Sequence, residues 1–368
     1  MDQTQSGAIS PSPDLLERQL AAILSAWGMP AGHVAIAAGK MVASDLRGID
    51  SHGVAMMPLY DSFRRSDRIN VTPDIRIVAE TPATALIDAD GALGHIPAER
   101  AMRLAIDKAR AVGMGSVAVR DSNHFGAAGL YALMAAEAGL IGLATTSTWL
   151  PTIVPTFGAE AMFGTNPIAF AAPAGRNPPF VLDMATSTVA GGKVKLAILH
   201  KKPIPEGWAV DANGQPVTDP VQANDHRAFT PLGGNRLMGS HKGYGLAAMV
   251  EILSTMLPGA IYAATRAARR PEATRWDIGH FFLALDPAAF RAEDDFGDDV
   301  DDMIDALRAV RPADAGQPVL VAGDPEQAAI AERMAGGIPM PADLVAQVRA
   351  LCDGCGAPFL LGEAGADG

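Results

Sequence analysis

The chain has 368 residues, enough for two or three domains of about 100–200 residues each, and a composition of 49% hydrophobic and 19% charged residues that excludes a disordered chain. A formal net charge of −12 argues against a nucleic-acid partner, whose phosphates call for a basic face. No apolar run approaches the ~20 residues that cross a bilayer, residues 1–13 show no basic-then-apolar leader, and two cysteines, Cys352 and Cys355, make no disulfide framework. A cytoplasmic protein without a membrane partner is expected.

The first dozen residues are Ser/Pro/Gln-rich and are expected to be disordered. Asp14 then reads as the N-cap of a helix carrying Leu15, Leu16, Leu20, Ile23 and Leu24, stopped at Gly28. Helices follow over 31–46 and 56–66. From Ile75 the pattern turns to strands, one on each side of Thr81-Pro82. A helix over 98–112, a strand over 116–119, a helix over 127–138 and a strand over 140–145 come next. Strands are expected at 168–172, 180–184 and 280–285, and helices at 188–199 and 244–257. After Asp286 the chain reads as an acidic helix over 294–310, a short strand over 318–322 and two final helices. The division is 1–73 helical, 74–286 α/β, 287–353 helical and packed with the first part, and 354–368 a fraying tail.

Gly113-Met114-Gly115 with Ala118 spells G-x-G-x-x-A. In a dinucleotide fingerprint a strand precedes the glycines and a helix follows, bringing the helix N-terminus to the pyrophosphate. Here a helix precedes and a strand follows, so Gly113 reads as a helix C-cap. A dinucleotide, if bound, is not held by the ordinary Rossmann loop.

Six clusters carry chemistry. Asp45-Leu46-Arg47-Gly48-Ile49-Asp50-Ser51-His52-Gly53 sets a histidine beside a hydroxyl and carboxylates; imidazole both gives and takes protons near neutral pH. The plain alternative is a helix-end turn capped by Asp50 or Ser51. Ser122-Asn123-His124-Phe125-Gly126-Ala127-Ala128-Gly129 joins a strand end to a helix, where small residues let a ligand reach free N–H groups; close packing of a helix start is its alternative. Phe163-Gly164-Thr165-Asn166-Pro167 is a turn, and Leu182-Asp183-Met184-Ala185-Thr186-Ser187 an acid at a strand end followed by capping hydroxyls. Ser240-His241-Lys242-Gly243-Tyr244-Gly245 opens a helix with a cation, against the macrodipole, which an anionic partner such as a phosphate would explain. Ala322-Gly323-Asp324-Pro325-Glu326 is a strand-to-helix turn that capping alone also explains.

In this order, with IPEGWAVD and PLGG between the fourth and fifth, the motifs resemble the malate/L-lactate dehydrogenase type-2 family over residues 14–351. Its members include ureidoglycolate and sulfolactate dehydrogenases, 2,3-diketogulonate reductase and Δ1-piperideine-2-carboxylate reductases. The resemblance implies an α/β fold with a mixed sheet, a non-Rossmann NAD(P)-binding domain and a helical domain from both chain ends, usually in a homodimer. It implies hydride transfer between NAD or NADP and C2 of a small 2-oxo/2-hydroxy acid or cyclic 2-imino acid, with no metal. His52 would be proton donor and acceptor with Ser51 beside it. His124 would face cofactor or substrate, and takes the acid–base role in some members. Thr165 would contact substrate. His124, Phe125, Gly126, Ala127, Asp183, Met184, Ala185, Lys242, Gly323, Asp324, Pro325 and Glu326 would form the cofactor site.

One departure stands out. The family pattern SHG-x-x-R places a carboxylate-binding arginine where this chain has Met56, which cannot supply the planar fork of a guanidinium. Either Arg47 or Arg120 serves, or the substrate is apolar there. The stretch where some members carry an acidic partner for the Ser-His pair reads Gly191-Gly192-Lys193 here. Two other readings stay open: a non-catalytic nucleotide-binding relative, and a hydrolase on Ser51 and His52, which lacks a G-x-S-x-G elbow. Cys352-x-x-Cys355 has no second pair for zinc and reads as incidental.

Overall fold

The structure is a computed structural model that describes residues 7–291 and 295–363. Helices α1 (Pro13–Ala26), α2 (Ala31–Leu46) and α3 (Met57–Arg65) open the chain. Next come β1 (Arg76–Glu80), β2 (Thr84–Ala92), α4 (His95–Val112), β3 (Met114–Ser122), α5 (Gly129–Glu137), β4 (Ile141–Thr146), β5 (Ile168–Ala172) and β6 (Phe180–Met184). An excursion follows: α6 (Gly191–Leu199), β7 (Ala209–Val210), β8 (Pro216–Val217), α7 (Pro220–His226), α8 (Ser240–Glu251) and α9 (Arg266–Arg269). The chain returns to the sheet as β9 (Ile278–Leu285) and ends in α10 (Phe296–Arg308), α11 (Asp324–Gly336) and α12 (Ala342–Cys355).

Seven strands form one mixed sheet in the order β1-β2-β3-β9-β4-β5-β6. Only β2 and β3 pair in parallel. Strand β9 fills the slot between β3 and β4 and runs antiparallel to both. Since β2 and β3 are parallel neighbours followed directly by α4 and α5, the starts of these helices lie side by side at one sheet edge, where ligands collect in α/β folds. Helices α4 and α5 cover one face through alanines (Ala98, Ala101, Ala105, Ala132, Ala135) that allow close approach to Val117, Val119 and Phe282. Gly113 ends α4 in the left-handed conformation, φ 88°, its N–H on the Ala109 carbonyl, as the C-cap reading requires.

A second core joins the chain ends: Leu16, Leu20, Ile23, Met41, Met57 and Tyr60 pack with Ile338, Met340, Val348, Leu351 and Leu361. Several expectations need correction. Ser12, rather than Asp14, caps α1, its Oγ accepting from Leu15 N at 3.3 Å; Asp14 sits inside the first turn. Within the expected disordered segment, residues 7–12 are docked, with Ile9 bridged to Met340; residues 1–6 lie outside the described residues. Residues 318–322 form no strand, because Pro318 has no N–H and Val321 gives its own to Asp324, leaving a single bond from Val181 N to the Ala322 carbonyl. Helix α8 begins four residues earlier than expected and passes into a π-helical turn at Ile252–Met256, where Thr255 Oγ1 donates to Glu251 at 2.6 Å.

Helix α10, grouped by sequence with the N-terminal helices, packs Val300 and Ile304 against Val321 and Phe180 at the β6 edge instead; residue 294, its expected start, lies outside the described residues. The expected tail is docked as far as Leu361. Buried Gln19 donates to the Pro358 carbonyl at 3.0 Å and accepts from Leu360 N at 2.6 Å; residues 364–368 are outside the described residues. Among the described residues no helix is long and apolar enough to cross a membrane.

Candidate active site

The site begins at the paired helix starts. At the end of β3, Asn123 Nδ2 donates to the Gly91 and Ala92 carbonyls of β2 at 2.9 and 3.1 Å and fixes the turn that carries His124. Tyr60, fully buried on α3, hydrogen-bonds His124 Nδ1 at 2.7 Å. Burial pushes the Tyr60 phenol far above its usual range, so it stays protonated and donates. With Nδ1 accepting, neutral His124 carries its proton on Nε2. Burial, then the nearby His52, His95 and His280, hold His124 well below the usual histidine range, so it is neutral at pH 7. The Trp149 indole stands edge-on to His124, ring centroids 5.6 Å apart.

The turn after α2 brings in the second imidazole. Ser51 Oγ lies 2.8 Å from His52 Nδ1, which leaves Nε2 for a substrate. The His52 and His124 rings stack at 5.4 Å between centroids. Burial lowers the His52 pKa, so its imidazole is a neutral base near neutral pH. Asp45 sits under this turn, 1% exposed, its Oδ2 accepting Val54 N at 2.9 Å; burial raises its carboxyl to about 7. The two loops touch: a Cβ built on Gly126 would stand 2.8 Å from His95 Nε2 and 3.7 Å from the His52 carbonyl.

His95 opens α4 with both ring nitrogens buried and without a hydrogen-bond partner. Burial, with Lys40 and His52 nearby, lowers its pKa to about 3 against 6.5 unfolded. On acidification the unfolded chain therefore takes up this proton first, and the stability of the neutral buried form is lost as pH falls from 6.5 toward 3. Replacing it with an apolar side chain removes that term. His95→Met is expected to gain on wild type by roughly 1.4 kcal/mol per pH unit below 6.5, measured by urea unfolding at pH 7 and pH 5. A difference between the two proteins that is constant with pH would refute this.

The other sequence candidates gather at the end of β6 and at the start of α8. Gly129 N donates to Asp183 Oδ2 at 2.7 Å, joining the start of α5 to the end of β6, with Met184 and Ala185 following. Thr165 lies against the next residues, its carbonyl accepting from Thr186 N at 2.9 Å and Oγ1 at 3.1 Å. The Gly323–Glu326 turn is anchored at the same strand through Val181 N and the Ala322 carbonyl. Lys242 is exposed in the first turn of α8, beside the left-handed Gly239.

Five side chains stand apart. Phe125 is a core residue, 1% exposed and stacked on His280 at 4.7 Å, and Ala127 is buried as well, so only the backbone of this stretch can meet a ligand. Met56 packs against the N-terminal core. Arg47 donates to the Ala43 carbonyl and is drawn toward Glu137 and Glu326, while Arg120 pairs with Asp88 at 3.1 Å. Sequence reasoning missed Tyr60, Trp149 and His95. Only the aromatic character of the first two, and the position of His95 at a helix start after a strand, offered a signal.

A dinucleotide fits this donor set. Small residues front α5 and a lysine stands in the first turn of α8, features that suit phosphate oxygens, while the glycine turn at α11 carries Asp324 and Glu326, whose carboxylates suit ribose hydroxyls. Comparison with known proteins agrees. The malate/L-lactate dehydrogenase family model matches residues 12–349. A malate dehydrogenase of Pyrococcus horikoshii is 39% identical over 319 residues, 86% of this chain and 88% of that one. An L-sulfolactate dehydrogenase of Methanocaldococcus jannaschii is 38% identical over 344 residues, 94% and 96% of the two chains. The crystal structure of malate dehydrogenase from Entamoeba histolytica superposes with a TM-score of 0.90 at 30% identity, over 95% of this chain and 99% of that one. By sequence and by fold, this chain belongs to the malate/L-lactate dehydrogenase family and is one of its dehydrogenases.

Proposed function

We propose that the protein interconverts a small 2-hydroxy acid and its 2-oxo acid, with His52 moving the proton at the C2 oxygen. The observation that carries this reading is the Ser51-His52 pair, whose Nδ1 is occupied and whose ring stacks on His124. The family's dehydrogenases use NAD or NADP, which when bound takes up or supplies the hydride. The backbone of 126–129, Asp183, Met184, Ala185, Lys242 and the turn 323–326 would hold it.

In oxidation, neutral His52 accepts the hydroxyl proton at Nε2. For Nε2 to accept, Nδ1 carries the ring proton before and after transfer, so Nδ1–H donates to the Ser51 hydroxyl oxygen throughout. His124, held by Tyr60, presents its Nε2–H to the oxygen that gains charge. Trp149 and Tyr60 wall this side and limit water. With Met56 on the core side, the substrate's second group meets no family arginine at that position, and a substrate with an apolar group there is favoured.

The test is a screen of 2-hydroxy acids, including L-malate, L-sulfolactate and L-lactate, with NAD and NADP, followed by nicotinamide absorbance. Turnover of at least one acid is expected, the apolar ones exceeding the dianions. A protein that quenches on binding NADH or NADPH yet oxidises none would be a nucleotide-binding relative without catalysis. As a homodimer the chain would cover Met249, Ile252 and Met256, an apolar stripe at helical spacing that is 39%, 58% and 49% exposed. Sedimentation at micromolar concentration measures this, and a monomer there would exclude it.

A further inference from the structure

Helix α11 touches both halves of the site. Its first turn is the proposed dinucleotide turn, fastened to β6 through Val181 N and the Ala322 carbonyl at 3.2 Å, with Gly323 lying against Val181 and Pro179. Arg333 stands nine residues after Asp324, about 14 Å along the helix axis at 1.5 Å per residue. Its guanidinium spans both carboxylate oxygens of Asp50, with Nη2 3.1 Å from Oδ2, and also donates to the Asp45 carbonyl. The Arg333 side chain is only 14% exposed.

These partners bracket the catalytic pair. Asp50 immediately precedes Ser51, and the Asp45 carboxylate holds Val54 N, two residues after His52. The guanidinium therefore closes the base of the turn from both sides. Between its ends α11 also rests on this turn: a Cβ on Gly48 would lie 3.3 Å from that of Ala329, and Glu326 attracts Arg47.

We infer that Arg333 is a positioning residue for the dehydrogenase reaction, tying the dinucleotide turn at the start of α11 to the orientation of His52. A bidentate guanidinium fixes direction as well as distance, and a helix of three to four turns passes a displacement at one end to the other with little loss. Seating the dinucleotide and setting the proton-transfer group then become one event. The inference rests on the functional reading above.

The experiment uses the full-length enzyme with Arg333→Met, Arg333→Lys and Asp50→Ala, and His52→Ala in parallel. For each, kcat and KM at saturating dinucleotide, the pH profile of kcat, and the affinity for oxamate with and without NADH are measured. Wild type is expected to bind oxamate more tightly with NADH than without it; Arg333→Met is expected to lower kcat about 10–100-fold, shift the limb of the pH profile that reports His52, and abolish that gain. Arg333→Lys, which reaches one oxygen at a time, is expected to recover part of the loss.

Wild-type kcat, pH profile and coupling in Arg333→Met, with only a lower melting temperature, would reduce Arg333 to a structural clamp and overturn the inference. Should Arg333→Met fail to fold, Asp50→Ala decides on the same readouts, since that side chain is 59% exposed and its loss leaves no cavity. Turnover retained in His52→Ala sinks the acid–base reading itself. An inactive His52→Ala beside an unimpaired Arg333→Met sinks the coupling alone.

Discussion

His52→Ala is expected to lower kcat by about 10²–10⁴-fold, the range of a lost general acid–base group, or roughly 3–5 kcal/mol of barrier at 1.36 kcal/mol per decade. NADH and NADPH affinity is expected to stay within about threefold, because the dinucleotide candidates lie at the starts of α5, α8 and α11 and at the end of β6, and none is His52 itself. The contrast between a large kcat effect and a small cofactor effect separates proton transfer from binding. It also separates His52 from His124, which sits between the two functions: its ring stacks on His52 while its turn leads into α5. Stopped-flow turnover with fluorescence titration measures both quantities. Unimpaired turnover would remove His52 from the mechanism.

Gly94→Ala is expected to damage stability and activity together. A Cβ on Gly94 would lie 2.2 Å from the Asn123 carbonyl oxygen and 2.6 Å from that of His124. Both are backbone atoms, so no rotamer change relieves the clash, and the turn carrying His124 has to move. Overpacking of this kind costs about 1–3 kcal/mol, and a shift of the His124 turn would loosen its 2.7 Å bond to Tyr60. A urea midpoint lowered by that amount with kcat down at least tenfold is the expected result. A variant with wild-type stability and kcat would show that the two helix starts are not held together as described.

Much of this was legible from sequence wherever periodicity and a breaker coincide. Residues 31–46, 168–172 and 180–184 match α2, β5 and β6 residue for residue, because each has a clean apolar pattern between turn formers. Errors gathered where a local rule met a competing one. Asp14 looked like a cap until the nearer Ser12 took the Leu15 N–H. Val321 looked like a strand residue, but its N–H went to a carboxylate three residues on. The tail looked disordered by composition, yet Gln19, more than 330 positions away, captures its backbone.

The site shows the same divide. Ser51, His52 and His124 announced themselves as polar clusters with glycine, whereas their supports lie far off along the chain. Tyr60 is 64 positions from His124 and Arg333 is 283 from Asp50, separations no single-sequence pattern carries. The Phe125 side chain shows what the motif leaves out: an aromatic inside a ligand-like motif serves the sheet core here, stacked on a histidine that bonds Ser122 and Thr146. Met56 keeps its meaning as a missing guanidinium, but its side chain belongs to the helical core.

Whether one imidazole moves the proton is settled most directly by a crystal structure with NADH and oxamate bound. His52 Nε2 is expected within about 3–3.5 Å of the oxamate carbonyl oxygen, with the Ser51 hydroxyl still on Nδ1. A ring turned to bulk solvent, or another side chain occupying that position, would contradict it.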